Sequence, residues 1–589
     1  MARAADLQEA FEIPLPEGGG LVLDSCRRLL GPNLFAAETG AVGDGLAPGV
    51  APADLLADWS GRLSDLLRAL GWSAPRIIGR TFDGGASLFV AAPEDRLFTA
   101  TFAVEAAWHY LAAERLGIAP VPMAQMLADL AALQRAEANP ALLSLLGQAG
   151  ARGVDRLLDD DLLTLGHGAG AATWGTDALP AEPDWARLHD VPLAMVTGTN
   201  GKTTTVRLIA AMGAEAGLVA GLSSTEAVAV GGQVLDKGDY SGPAGARMLL
   251  RDPRLQLGVL EVARGGILRR GLPVGHARAA VVTNVAADHL GHYGILTVPD
   301  LARVKLAVRR SLAAGGALIL NAGDPELVAA ARAEGVTGGR GGAVWFGRDP
   351  AAPDLAEARG AGRTCGWLED GVLWLQDGQG ARALIAAKDV PLTLGGAALY
   401  NVENALAAAL AARALGLPDA AIRAVLARFQ SDAKDNPGRA NEFRVRGARV
   451  FVDFAHNPHS IAAVTSALAA VPAKRRFVLM AHAGDRSDED IRGLAQGAAA
   501  LKPDGVVVAE MAKYARGRPP GQVQAILAEA ARTAGVPEVT LAPGPAAGAR
   551  EILARLQPGD LALLLVHDER QAIFDLLTAA AGQGTGAVS

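Results

Sequence analysis

The sequence predicts an α/β fold: a central α/β domain and a C-terminal Rossmann-like α/β domain, each on a mostly parallel sheet, preceded by an α+β domain. Three observations carry this expectation. From residue 191 onward, short apolar runs of strand length alternate with amphipathic stretches of helix length. The alternation restarts at about residue 437. Between residues 147 and 190, Gly, Ala, Asp and Pro accumulate with little periodicity, separating all of this from a helix-dominated first segment. The expected units are therefore an N-terminal domain at 1–146, a linker with at most one short helix at 147–190, the central domain at 191–430 and the C-terminal domain at 431–589.

Each element has its own signal. In the first unit, helical periodicity covers residues 53–70, 103–116 and 123–133, and strands at 76–78 and 87–91 flank the turn Asp83-Gly84-Gly85. In the second, residues 192–196 read as a buried strand that runs through a Gly-rich turn into a helix at 204–216. Further strands are expected at 257–260, 279–283 and 317–320, then a small β-rich flap at 343–394 and a helix at 401–415. The last unit should place strands at 450–453, 476–480, 505–508 and 561–565, each followed by a helix.

A chain of 589 residues is too long for one core, and half of it is hydrophobic, as a compact folded protein requires. The net charge of −7 argues against a nucleic-acid partner, which needs a basic face to displace counterions. No apolar run reaches the length of a membrane span, and the first eighteen residues lack the apolar core of a signal peptide. Cys26 and Cys365 stand far apart in no metal spacing. A cytoplasmic protein without a membrane partner is expected.

The chemistry concentrates in Val196-Thr-Gly-Thr-Asn-Gly-Lys-Thr-Thr204, which leaves a strand and opens a helix. Glycines at such a turn let backbone N–H groups approach phosphate oxygens at the positive end of the helix. Gly198, Thr199, Asn200, Gly201, Lys202, Thr203 and Thr204 are therefore the expected ATP-binding turn. Lys202 would reach the terminal phosphates and the Thr203 hydroxyl would hold Mg²⁺. A general P-loop carries Gly where this chain has Val196. The compact form here is the one used by Mur ligases and folylpolyglutamate synthetases.

The resemblance extends well beyond that turn. Gly238-Asp-Tyr-Ser-Gly-Pro243, Leu260-Glu-Val-Ala-Arg-Gly-Gly-Ile-Leu268, Val281-Val-Thr-Asn-Val-Ala-Ala-Asp-His-Leu-Gly291, Asn401-Val-Glu-Asn404, Pro437-Gly-Arg439 and Val452-Asp-Phe-Ala-His-Asn-Pro458 occur in one order. That ordered set resembles the Mur ligase superfamily and, within it, the Mur-type half of the cyanophycin synthetases. Arg28-Leu-Leu-Gly-Pro-Asn33 is similar to the N-terminal domain of the latter family. Leu163-Thr-Leu-Gly-His-Gly168 looks like the opening of its ATP-grasp module, of which residues 147–190 would be a remnant.

The resemblance implies an ATP-dependent carboxylate–amine ligase working through an acyl phosphate, with ATP and Mg²⁺. It implies metal ligands at Thr203, Glu261 and His289, and catalytic groups at Lys202, His289, Lys305 and Arg439. It also implies ATP contacts from Asn401, Asn404, Arg439, Asp453 and His456. A plainer role stays open for several of these. Glu261 could be a strand-end carboxylate, His289 a structural hydrogen-bonder, and Lys305 a surface lysine rather than a carbamylated one. Both asparagines could simply cap their helix.

The amine pocket would draw on Asp485, Asp488, Glu489, Asp490 and Glu510, although an acidic helix start explains the middle three as well. Thr225-Glu226-Ala227, Val262 and Ser487 depart from the family pattern. The expected substrates are a basic amino acid such as Arg or Lys and an Asp-type carboxylate of a peptide or polymer, with a homo-oligomer by analogy. The alternative is a nucleotide-binding relative that serves as scaffold or partner of a full synthetase.

Overall fold

The computed structural model describes residues 4–336, 342–432 and 434–582, which among them form four sheets. The first is antiparallel, in the order Val22–Leu29, Gly40–Leu46, Gly85–Ala91, Ile77–Phe82. The helices Pro52–Ala69 and Leu97–Leu116 pack on it, with Trp59 and Trp108 edge to face at 4.9 Å. Composition hid the strand Gly40–Leu46, because glycine is a poor strand former. Its glycines are needed for space: a Cβ at Gly45 would lie 2.2 Å from the Trp108 ring, and one at Gly43 2.8 Å from Trp59. The strand Val22–Leu29 went unread because Asp24, Arg27 and Arg28 break its alternation.

The central sheet has eleven strands. Leu193–Thr197 is fully buried between Leu257–Glu261 and Ala277–Val282, all parallel. The chain passes first to one side of that strand and then to the other, so a crevice opens at its carboxyl end. The helix Lys202–Glu215 packs against the Ala-rich helix Leu399–Ala414 over this sheet. Alanine allows the two helices to approach closely without a bulky ridge between them.

Two sequence expectations need correction. Residues 343–394 form no separate flap: Ala343–Gly347 and Cys365–Glu369 extend the parallel sheet, and Val372–Asp377 and Gly380–Ala386 close its edge antiparallel. The short runs are the sheet's far margin. Nor is 147–190 a plain linker. It carries Arg156–Leu158, Leu162–Leu165 and Ala172–Gly175 as an antiparallel sheet over its own apolar cluster of Leu142, Leu145, Leu163, Leu165 and Leu188. Strands of three or four residues are too short for alternation to show. This sheet is clasped to the central domain. Arg251 donates to Thr164 Oγ1 and to Asp159, both at 2.8 Å, and Asp155 Oδ2 accepts from the Gly275 and His276 amides at 2.7 and 3.1 Å.

The fourth sheet orders Asn441–Val445, Ala448–Asp453, Leu561–Leu565, Arg476–Met480, Gly505–Ala509 and Val539–Ala542, parallel apart from the first hairpin. Among the described residues, no helix is long and apolar enough to cross a membrane.

Native-state hydrogen exchange tests the corrected segment. Ladder amides of Leu162–Leu165 should exchange slowly, in step with the sheet they clasp. Exchange at the rate of an unstructured chain would restore the linker reading.

Candidate active site

The strand Leu193–Thr197 ends in a turn whose path only glycine allows at two points. Gly198 and Gly201 have φ of +151° and +85°, and a Cβ would sit 1.8 Å from Thr283 Oγ1 and 2.2 Å from Asn404 Oδ1 respectively. Hydrogen bonds from the end of the next strand hold the turn: Thr199 N–H donates to the Asn284 carbonyl at 2.9 Å, and the Asn200 carbonyl accepts from the side chains of Thr283, through Oγ1 at 2.6 Å, and Asn284, through Nδ2 at 3.1 Å. Lys202 Nζ curls over the turn and donates to the Gly198 and Thr199 carbonyls at 3.1 and 2.9 Å.

Thr203, one residue into the helix, donates to Glu261 Oε2 at 2.9 Å. Glu261 ends the neighbouring strand and is 2% exposed, so burial raises its carboxyl pKa against the pull of Lys202 and Thr203. Its other oxygen, Oε1, is buried with no hydrogen-bond partner among the described residues. A buried carboxylate with one unsatisfied oxygen, beside a threonine hydroxyl, suits a small hard cation. Such an ion as Mg²⁺ takes one or two protein oxygens and fills its remaining positions with water and phosphate.

The C-terminal domain supplies the opposite wall of the cleft. Arg439 reaches back to Thr203 Oγ1 at 3.4 Å. Asn457 and His459 meet the Asn200 side chain, with His459 Nδ1 2.9 Å from Asn200 Nδ2. Asn436, fully buried, donates to Thr204 Oγ1 at 3.2 Å. Glu226 binds both domains. It accepts from Arg207 at 3.0 Å and from Arg570 at 2.8 Å. Burial works to raise its pKa, but Arg439, Arg570 and Arg207 together hold the carboxyl below its ordinary value.

Asn401, Asn404, Asp453 and His456 also line this cleft. Asn404 Nδ2 donates to Asn401 Oδ1 at 3.0 Å, and Asn401 Nδ2 to the Leu392 carbonyl at 2.9 Å. Neither asparagine therefore simply caps the helix. Both oxygens of Asp453 accept backbone amides, from Ala440 and Ala455 at 2.7 Å each, so this carboxylate fixes two loops as well as facing the cleft. Burial lowers the His456 pKa, and its Nδ1 lies 3.0 Å from the Phe454 carbonyl. That contact places the proton on Nδ1 and turns an acceptor Nε2 outward.

A second cavity borders Lys202 and contains Asp288, His289, Lys305 and Arg264. Lys305 is 3% exposed, far from a surface lysine, and burial, then Lys202, push its pKa well below the ordinary lysine value. His289 has φ +52° and its ring Nε2 accepts from Arg486 at 3.0 Å. Burial holds its pKa down to about 4, so at neutral pH the ring is an uncharged acceptor. The structure thus brings Thr203 and Glu261 together, while His289 stands in the adjoining cavity engaged by Arg486. Among the described residues, no group of three or more His, Cys, Asp or Glu side chains could hold a metal.

The acidic residues expected around the amine are mostly engaged. Asp485 pairs with Arg516, Asp488 with Arg518 at 2.6 Å, and Glu510 accepts the Gly521 amide at 3.0 Å. Ser487 caps the helix Asp488–Ala499 by accepting from the Asp490 amide at 3.1 Å, which gives the acidic start its structural reason. Asp288, Asp485 and Asp490 nonetheless share a cavity with His289 and Arg486. Sequence reading missed Asn284, Asn436, His459 and Arg570. Of these, only Asn284 lies in a quoted motif.

Comparisons with known proteins show what the chain is similar to. The model of the Mur ligase middle domain matches residues 196–412, and that of the Mur ligase glutamate ligase domain matches 438–565. A cyanophycin synthetase from Trichormus variabilis is 37% identical over 337 residues, 57% of this chain and 37% of that protein. One from Crocosphaera subtropica is 40% identical over 301 residues, 51% and 34% of the two chains. The matched region thus spans well under half of those synthetases. A UDP-N-acetylmuramate--L-alanine ligase from Xanthomonas campestris pv. campestris is 30% identical over 381 residues, 63% of this chain and 70% of that one. Among solved structures, E. coli FolC in complex with ADP aligns with a TM-score of 0.48 and 22% identity, covering 67% of this chain and 90% of its own.

Gly201→Ala tests the turn. A side chain at positive φ facing Asn404 should lower the unfolding free energy by roughly 1–3 kcal/mol, measured by denaturant titration. An unchanged midpoint would mean that the backbone takes another path.

Proposed function

The chain belongs to the Mur ligase family of ATP-dependent ligases, and from that premise we propose that it joins a basic amino acid to an Asp-type carboxylate of a peptide or polymer. The observation that most supports a working site is the contact between Thr203 and Glu261 at the mouth of the phosphate turn, with Glu261 Oε1 left over for a cation. A scaffold with no chemistry to perform would have no need to bury a carboxylate there with an oxygen unpartnered.

In this reading ATP lies in the cleft between the two domains. The turn from Gly198 to Thr204 wraps its phosphates, Asn401 and Asn404 face its base, and Asp453 and His456 its ribose side. Thr203 and Glu261 would hold Mg²⁺, which supplies positive charge that lets one anion approach another. The acceptor carboxylate oxygen bonds to the γ-phosphorus as the β–γ bridging P–O bond breaks and ADP leaves. The amine nitrogen then bonds to the acyl carbon, phosphate departs with the C–O electrons, and the amine proton passes to water. Lys202 and Arg439 neutralise charge on the transferring group, worth several powers of ten in rate in phosphoryl transfer.

Lys305 fits conversion to a carbamate, because carbamylation requires a neutral amine and burial shifts this one toward its neutral form. His289 belongs to the same wall, as an acceptor steered by Arg486. The amine substrate would enter along the cavity lined by Asp288, Asp485 and Asp490, where a cationic side chain would compete with Arg486 and Arg516 for the first two carboxylates and meet Asp490, which has no Arg or Lys partner among the described residues. Closure of the C-terminal domain over the turn would bring Arg439 to the phosphates.

Three experiments test the proposal. An amino-acid panel with short Asp-containing peptides as acceptors, followed by mass spectrometry, should give the mass gain of one Arg or Lys. Incorporation of neutral amino acids alone would sink the substrate assignment. Lys202→Ala should abolish ADP release in the same mixtures, and Glu261→Gln should remove the Mg²⁺-dependent part of the thermal stabilisation by ATP analogues. Wild-type behaviour of either variant would refute the role given to that residue.

A further inference from the structure

Phe454, Ala455 and His456 line the nucleotide cleft and join the strand Ala448–Asp453 to the helix Pro458–Ala469. A chain leaving a sheet loses its ladder, and its carbonyls then need other donors. At either end of the loop the backbone supplies them. Val566 N–H donates to the Asp453 carbonyl at 2.9 Å, and Ile461 N–H to the Asn457 carbonyl at 3.0 Å. Between these points the carbonyls of Phe454, Ala455 and His456 receive no backbone amide among the described residues. Each faces an imidazole instead. His456 Nδ1 lies 3.0 Å from the carbonyl of Phe454, His567 Nε2 2.9 Å from that of Ala455, and His482 Nε2 3.2 Å from that of His456.

The order of the sheet brings these rings together. Ala448–Asp453, Leu561–Leu565 and Arg476–Met480 are parallel neighbours, and His456, His567 and His482 each follow one of them closely. His567 leaves the middle strand, so its ring stands between the two flanking loops, with Nδ1 3.0 Å from the Ala481 carbonyl. It also meets the Phe454 ring edge to face at 5.2 Å, and the Arg439 guanidinium lies over Phe454, 5.4 Å from the ring centre. His482, buried, likewise has its Nδ1 3.1 Å from a carbonyl, that of Ala483.

A neutral imidazole has one N–H, so neither ring can serve both of its carbonyls. Burial, then the neighbouring His456 ring, hold the His567 pKa down to about 3, and burial lowers that of His482. Both rings are uncharged at neutral pH, and the position of the proton decides which loop is held. Protons turned to Nδ1 would set bare lone pairs against consecutive carbonyls of one tight loop.

Resting on the ligase reading, we propose that His567 and His482 are positioning residues for the nucleotide: each keeps its proton on Nε2 and, through the Ala455 and His456 carbonyls, sets Phe454 and the His456 ring against the cleft. Neither side chain lines the cleft itself. Both act through the backbone, and His567 also supports Arg439 by way of Phe454.

Gln and Asn substitutions separate the two nitrogens, since a Gln amide reaches the place of Nε2 and an Asn amide that of Nδ1. Binding of AMP-PNP with Mg²⁺ to the full chain is measured by calorimetry. His567→Asn should weaken it about five- to tenfold, the scale of one hydrogen bond, and His567→Gln by no more than about twofold. Equal losses in the two variants, or no loss in either, would overturn the proposal. Long-range proton–nitrogen NMR spectra of the histidine-labelled wild type read the tautomers without any substitution. A protonated Nε2 and a bare Nδ1 are expected for both His567 and His482, and a proton on Nδ1 of either would overturn the proposal even if a variant failed to fold. If the wild type binds no AMP-PNP, the ligase reading fails instead, and the spectra alone decide the imidazole arrangement.

Discussion

The wedge between Gly201 and Asn404 is the constraint on which the site is built. With a left-handed residue at the start of the helix Lys202–Glu215 and no room for a Cβ beside it, the chain has one way to turn from strand to helix. That single path puts Thr203 against Glu261, curls Lys202 over the turn and aligns the Asn200 side chain with Asn457 and His459 of the C-terminal domain. The opposing surface is equally committed. Asn404 sits on a helix held by the Asn401–Leu392 bond and by an alanine-packed core, so neither side of the wedge yields easily.

Burial around this wedge acts with opposite sign on two neighbouring groups. Glu261 is raised and Lys305 is lowered, each pushed toward its neutral form because a low-dielectric interior disfavours isolated charge. The two stand in adjoining cavities on either side of Lys202. A region that suppresses charge before substrates arrive strengthens every electrostatic contact made once they do.

The sequence made the phosphate turn legible because its chemistry is local: strand, glycines, lysine and threonine follow one another over nine residues. Glu261 and Arg439 were legible only through the resemblance, since nothing in their immediate surroundings announces a site. The longer strands could be read from apolar runs. The strand Gly40–Leu46 could not, because its glycines answer to tryptophans on helices remote in sequence. The 156–175 sheet escaped because its strands are shorter than the pattern that reveals them. Asn436 and His459 were invisible for a different reason: their role exists only where two separately folded sheets meet. The acidic start of Asp488–Ala499 shows the converse, a suggestive run of carboxylates that the Ser487 cap and Arg518 largely account for.

Glu226 has a mechanical consequence. Its two oxygens are divided between Arg207, on its own domain, and Arg570, on the other. Were the domains to swing apart, only the Arg570 contact would be lost, and the carboxylate would keep a cation beside it throughout the stroke. The guanidinium parted from it, Arg570, is already partly exposed, so water would take the place of its lost partner and neither position would bury an unpaired charge.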